Sequence, residues 1–392
     1  MRVVAGELKK IWNIRILGII TLLCLMYFLI FMLTLVTSSP RGTWFNIADF
    51  AHHLTEVYGT TLEPHDFEDF LQYRGVIVAE LDEAISENPT FADAGIYNFH
   101  DYLEFAEDFS ARMPTLTDAE ISRYNNLLNE WFVVDGRLNH DISRAAIPSH
   151  HSLGVAYSRM QSYEHVVGLY RANVIRDIHI TLVDVLLQPV YCAITGVEAP
   201  GRFSERQIRR LEEIRDSGEL VNIIDNYVVT HTSAYGLRLA ILIILVTLIL
   251  VSPLIVTDRV ARVNALQYSS KQGRSVIITQ FIAIIISALG MTTIFVIIFS
   301  GIFSVKGTWV FWNNGINSFM NHTMYWLSIT YGQYVLLMIA VIYVLSIISA
   351  AAGFIISWFS KNNASLVFKL TPLFIAGAFL AHRVLHDFLS IT

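Results

Sequence analysis

Histidine, cysteine and carboxylate side chains are the groups in this chain most able to do chemistry, and their spacing assembles no catalytic centre. Ten of the thirteen His fall between Thr37 and Gly236, including the adjacent pairs His52–His53 and His150–His151. His53 and Glu56 would share one helical face, which is a start on a zinc site. Adjacent His diverge on a helix, however, and no third ligand is marked by spacing, so these imidazoles read as surface or capping groups. Cys24 and Cys192 are too few for a disulfide framework. The chain holds no G-x-x-x-x-G-K-[ST], G-x-G-x-x-G, H-E-x-x-H or G-x-S-x-G pattern. It is therefore read as not an enzyme, with no cofactor or metal of its own.

One polar stretch stands out, "NALQYSSKQGRSVIITQFIA", residues 264–283. It belongs to a segment, 258–275, that is net positive by three: Arg259, Arg262, Lys271 and Arg274 stand against Asp258. Tyr268 adds an aromatic anchor of the kind that dominates interface energy, and Gly273 would permit a tight turn into the apolar run that follows. A short, stiff loop between two apolar runs can receive a push from a partner. The same bases also anchor the flanking runs electrostatically.

The elements that position this loop are apolar and long. The chain of 392 residues is 54% hydrophobic, with mean hydropathy +0.50. A bilayer crossing takes about 20 helical residues, and runs of that order predict transmembrane helices at 16–37, 236–257, 276–303, 334–359 and 366–385. The first run is too long for a signal-peptide core and lacks a clear cleavage site, so it reads as an anchor. Pro253 and Pro372 would bend their helices. Ser346 with Ala350, and Ser349 with Gly353, form small-x-x-x-small pairs that let helices approach closely.

Charge divides the chain into two compartments. Residues 37–236 hold 30 of the 33 acids, 14 Arg and no Lys, leaving 3 acids and 13 bases elsewhere. Ten bases lie in the 1–15, 258–275 and 360–369 segments, against Lys306 and Arg383 on the opposite side. The positive-inside rule then puts the N-terminus in the cytoplasm and residues 38–235 outside. The apolar stretch 178–197 would add a crossing, but Asp184 at its middle costs about 2.5–3.5 kcal/mol to insert, so it reads as a buried helix. The 38–235 domain is predicted helical, with capping boxes at Thr117/Glu120 and Ser204/Gln207. Its acidity could attract cationic peptides, although solubility explains it as well. The 304–333 loop, with Trp309, Trp312 and Trp326, reads as an interfacial belt or a shallow re-entrant helix. The fold class expected is all-α: a polytopic membrane protein of about five transmembrane helices, with a large helical extracytoplasmic domain between the first and second.

"LIVTDRVARVNALQYSSKQGRSVIITQFIA" resembles the second-to-third span region of bacterial type-2 ABC exporter permeases, where a coupling segment of "Y-S-S/T-x-x-G-R" flavour leads into the next span. "GELKKIWNIR" fits that family's basic amphipathic N-terminal helix at 1–15, with Leu8, Ile11, Trp12 and Arg15 on adjoining turns. "LSITYGQYVLLMIAVIYVLSIISAAAGFIISWFSKNNAS" is similar to its later core. The resemblance covers 1–37 and 236–385. It implies a permease in a bacterial cell membrane, worked by a separate cytoplasmic ABC ATPase that holds the ATP, and paired with a second permease chain. ATPase contact is then expected at Arg259, Arg262, Tyr268, Lys271, Gly273 and Arg274, and no nucleic acid is expected as a partner. Such permeases usually have six spans, whereas five are read here; a missing final span or a re-entrant hairpin would account for the difference. Two other readings stay open: a mechanotransmission-type permease acting through its outer domain, and a non-ABC anchored sensor.

Overall fold

The computed structural model describes residues 2–37, 47–112, 115–122, 133–134, 137–138, 152–175, 204–260, 273–321 and 324–387. In chain order the helices are α1 (Arg2–Ile11), α2 (Ile14–Tyr27), α3 (Leu33–Thr37), α4 (Ile47–Tyr58), α5 (Pro64–Ser86), α6 (Pro89–Asp93) and α7 (Phe99–Arg112). There follow α8 (Ser152–Tyr170), α9 (Glu205–Asp216), α10 (Asn226–Val251), α11 (Pro253–Val260), α12 (Gly273–Ser304), α13 (Tyr331–Trp358) and α14 (Asn363–His382). The fold is all-α; strand pairing among the described residues amounts to Val133–Val134 against Arg137–Leu138 and one bridge, Thr61 with Asn222. Five helical stretches are long and apolar enough to cross a membrane: Ile14–Thr37, Asn226–Val260, Val276–Ser304, Tyr331–Trp358 and Asn363–Leu385. The protein is a membrane protein on that ground.

The chain forms two compact units. The first comprises Met1–Thr37, Val229–Trp312 and Met324–Thr392, and the second comprises Ser38–Val228 and Asn313–Thr323.

In the first unit the helix Asn226–Val260 is the hub. Its most apolar stretch is 78% buried, against 11% for the first and fifth spans. Small residues permit this enclosure. A Cβ added to Gly353 of α13 would come within 2.9 Å of Ser252 Oγ and 3.1 Å of a Leu248 methyl, so the two backbones meet closely there. Thr292 donates to Ser346 at 2.7 Å, and the Ser346 and Thr247 hydroxyls lie 3.3 Å apart, linking α10, α12 and α13. Each such bond contributes only about 0.6 kcal/mol in a membrane, so close packing carries most of the association. At Ser252 the helix breaks before Pro253, and Ser357 Oγ donates to the Ser252 carbonyl at 2.6 Å. The interruption falls at the proline read from the sequence, with a neighbouring helix serving the disturbed backbone, whereas Pro372 lies inside the continuous helix α14.

The second unit is built on α5 against α8. Pro64 occupies the first turn of α5, and Glu63 with Asp66 forms a capping box. Phe67 stacks on Tyr170 at 4.1 Å, and the Tyr170 and Tyr163 hydroxyls donate to the carbonyls of Leu62 and Leu71. Burying each large apolar side chain contributes about 1.5–3 kcal/mol. Of the two capping boxes read from the sequence, Ser204 with Gln207 caps α9 with both bonds present, and at Thr117 the Glu120 carboxylate accepts from the Thr117 amide and hydroxyl. The stretch 178–197 lies outside the described residues.

Loop 304–333 contains no re-entrant helix among its described residues, only the short 3-10 turn Thr308–Phe311. Part of it, 313–323, belongs to the second unit. Asn314 donates to the carbonyl of Ile223 (2.5 Å) and to Thr55 (3.1 Å), Asn317 to Glu219 (2.8 Å), and Ser318 to the carbonyl of Asn222 (2.6 Å). Phe319 packs edge-on to Tyr170 at 5.1 Å. A re-entrant helix would pair its own amides; here the Asn and Ser side chains bond to loop backbone instead, which competes with helix.

Asp225 is expected to give this unit a pH dependence. It is 6% exposed, and burial pushes its carboxyl up to about 7 despite hydrogen bonds from the Tyr227 and Asn226 amides. An unfolded Asp titrates near ~3.9, so the native state binds the proton more tightly. Stability is then fullest below about pH 4 and declines as pH rises towards about 7. Asp225→Asn should flatten that decline in unfolding measured across pH 4–8. Parallel profiles for the variant and the native chain would show that Asp225 is not the source.

Candidate functional site

The 258–275 loop is held at both stems, and the described residues show how. Asp258, 6% exposed, lies in the last turn of the hub helix beside α1, where Lys10 Nζ lies 3.3 and 3.4 Å from its two carboxylate oxygens and 3.0 Å from Glu7 Oε1. Gln280, on the first turns of α12, donates to Asp258 Oδ2 at 2.9 Å and to Glu7 Oε2 at 3.5 Å. One cluster thus ties the N-terminal helix to the segment entering the loop and to the helix leaving it. Glu7 and Gln280 are buried as well. Desolvation works against the Lys10 ammonium, but the hydrogen bonds and charge of Glu7 and then Asp258 outweigh it and raise its pKa.

Two further contacts brace the same end. Trp12 Nε1 donates to Ser287 Oγ at 3.1 Å, and its ring lies 3.6 Å from where a Cβ on Gly290 would sit. Arg259 donates to the carbonyls of Ser360 (2.5 Å) and Trp358 (2.6 Å), and Lys369 to that of Phe359 (2.8 Å). Helix C-termini leave unpaired carbonyls that bases satisfy, so these two cations close the end of α13. Asn13 caps α2 by accepting from the Arg15 amide, which separates the amphipathic helix from the first span.

Of the six residues expected to contact an ATPase, Arg259 uses its guanidinium within the chain. Gly273 and Arg274 form the first turn of α12. Arg262, Tyr268 and Lys271 lie outside the described residues. The sequence reading missed Glu7, Asp258 and Gln280, although a signal was present. Glu7 and Asp258 are two of the three acids outside 37–236, and Gln280 interrupts an apolar run; polar groups in such settings mark function or obligatory pairing.

Among the described residues the histidines assemble no comparable site. Glu56 lies 3.5 Å from His52, and the neighbouring His53 ring packs on Tyr73 at 5.3 Å. Among the described residues no three His, Cys, Asp or Glu side chains gather as a metal ion would require. No family model, no curated protein and no solved structure matches this chain.

Proposed function

We propose that this chain is the membrane-spanning subunit of an ABC transporter, a permease of exporter type driven by a separate cytoplasmic ATPase. In this reading it pairs with a second permease chain, and the N-terminus and the 258–275 loop are cytoplasmic. The observation that carries the reading is the cluster of Lys10, Glu7, Asp258 and Gln280. A chain without a nucleotide motif must receive force through contact, and a loop whose stems are bonded to each other and to α1 passes a push on to three helices together. The test is co-purification of the full chain from its native membrane: an ABC ATPase subunit should be captured with it, and this chain should stimulate that subunit's ATP hydrolysis when the two are reconstituted in liposomes. Absence of any complex would remove both ABC readings and leave the anchored-sensor reading.

The orientation has its own test. Single cysteines placed at Arg262 and Glu205, in a background lacking Cys24 and Cys192, should be labelled by impermeant maleimide only from the cytoplasm and only from outside, respectively. Outside labelling at 262 would invert the topology and end the coupling reading.

One observation favours the mechanotransmission variant. The second unit draws on two parts of the chain, 38–228 and 313–323, so the spans before and after each part are covalently continuous with it. ATP-dependent changes in hydrogen exchange of 313–321 without solute flux would select that variant; flux would select the exporter.

A further inference from the structure

Between α10, α12 and α13 the first unit holds a cavity of about 160 Å3. Leu239, Met338 and Ile342 line it, together with Trp309 and Trp312 from the short turn after α12. Thr232, Tyr235, Ser300, Ser304, Thr308 and Tyr331 contribute hydroxyls; Thr232 and Tyr331 bond to each other at 2.7 Å, and Tyr235 and Ser304 donate to the carbonyls of Phe299 and Gly301, so most of this polarity is spent within the wall. The cavity is elongated along the helices. Leu239 follows Thr232 by seven residues and Ile342 follows Tyr331 by eleven, about 10 and 16 Å of helix.

Glycines seat the bulky walls. A Cβ on Gly236 would fall 2.0 Å from Met338 Sδ, and one on Gly332 would fall 2.5 Å from the Trp312 ring. Trp309 and Trp312 remain 68% and 44% exposed, which suits indoles at the level of lipid headgroups. The volume is near that of a void that accepts benzene (~150 Å3) and below the ~300 Å3 at which sites for whole drug-sized molecules begin. It therefore suits one end of a molecule. A narrow, apolar slot about two to three turns deep, with tryptophans at one end, matches a flexible chain better than a ring system.

We propose that this cavity binds the alkyl chain of an amphiphile, with the polar end at the level of Trp309 and Trp312. For a chain arriving from the bilayer the hydrophobic term cancels, so selectivity comes from packing against Met338, Leu239 and Ile342. The chain can belong to a bilayer phospholipid or to a free single-chain amphiphile. The site lies within the spans and does not depend on an ATPase partner, so the proposed function and this inference stand or fall separately.

The full chain in nanodiscs would be irradiated with two probes in turn, a phosphatidylcholine and a fatty acid, each carrying a mid-chain diazirine. Labelling is expected between Met338 and Ile342 as well as at Leu336 and Val344, whose side chains are 55% and 53% exposed. Val335→Phe and, separately, Leu239→Phe should cut labelling at 338–342 at least fivefold while labelling at 336 and 344 persists, which also shows that the helices are intact. Labelling at 338–342 by phosphatidylcholine alone identifies a bilayer lipid, by fatty acid alone a free amphiphile, and by both the chain itself as the feature recognised. Labelling confined to 336 and 344, or unchanged in both filling variants, overturns the proposal.

Discussion

Replacing Lys10 with Met should destabilise the first unit by about 3 kcal/mol, because it leaves the buried carboxylates of Glu7 and Asp258 facing Gln280 without a cation. Removing one partner of a buried pair typically costs about 3–5 kcal/mol; the low end applies because the Lys10 side chain is 44% exposed. Asp258→Asn should be milder, since one carboxylate still has its ammonium. The double variant Lys10→Met/Asp258→Asn should recover part of the loss, with Glu7 still lacking a cation, a non-additivity expected of contacting groups. Lys10→Arg should stay close to the native chain. The sign with pH follows from the raised Lys10 pKa: its contribution is present below about 10.4, the unfolded value, and disappears as pH rises through the folded one. Thermal unfolding in detergent reads all of these. A Lys10→Met variant within about 0.5 kcal/mol of the native chain would mean that the cluster does not hold the loop stems together.

If the proposed function holds, replacing Tyr268 and Lys271 together with Ala should abolish stimulation of the proposed partner ATPase while insertion and topology remain native. Interface anchors of aromatic and cationic type contribute about 2 kcal/mol or more each, and every 1.4 kcal/mol is a factor of ten, so losing two should weaken the contact by at least about a hundredfold. Arg259 is a poorer test, because its guanidinium closes the end of α13 and its loss would disturb packing as well as any contact. Lys10→Met provides the complementary case: the partner should still bind the loop, but with less stimulation, because the stems no longer move as one. A Tyr268/Lys271 variant that binds and stimulates normally would make the loop a membrane anchor and no more.

What could be read in the sequence was whatever depends on composition and local pattern. Five apolar runs of bilayer length, the break at Pro253, the small-residue stripe from Ser346 to Gly353 and the capping boxes at Thr117 and Ser204 are all signals carried by residues near one another in the chain. The absence of nucleotide motifs in the sequence is equally local, and it is why a separate source of energy enters the proposal. The amphipathic N-terminal helix was legible as a helix, with Ile11 on its buried side. What it packs against was not.

Tertiary structure decided which distant groups meet. Lys10 and Asp258 are 248 positions apart, and nothing in the local pattern of either predicts the other; only the low tolerance of an apolar interior for an unpaired charge brings them together. The fate of 313–323 is of the same kind. Its Asn and Ser side chains read equally well as a loop at the headgroup level, and their assignment to the second unit rests on carbonyls supplied by residues 219–223. The sequence by itself determined that helices cross a membrane, because burying apolar length is a property of each segment alone. Which polar groups are buried, and against whom, belongs to the tertiary structure, because each buried donor or acceptor has to find its complement wherever the fold has placed it.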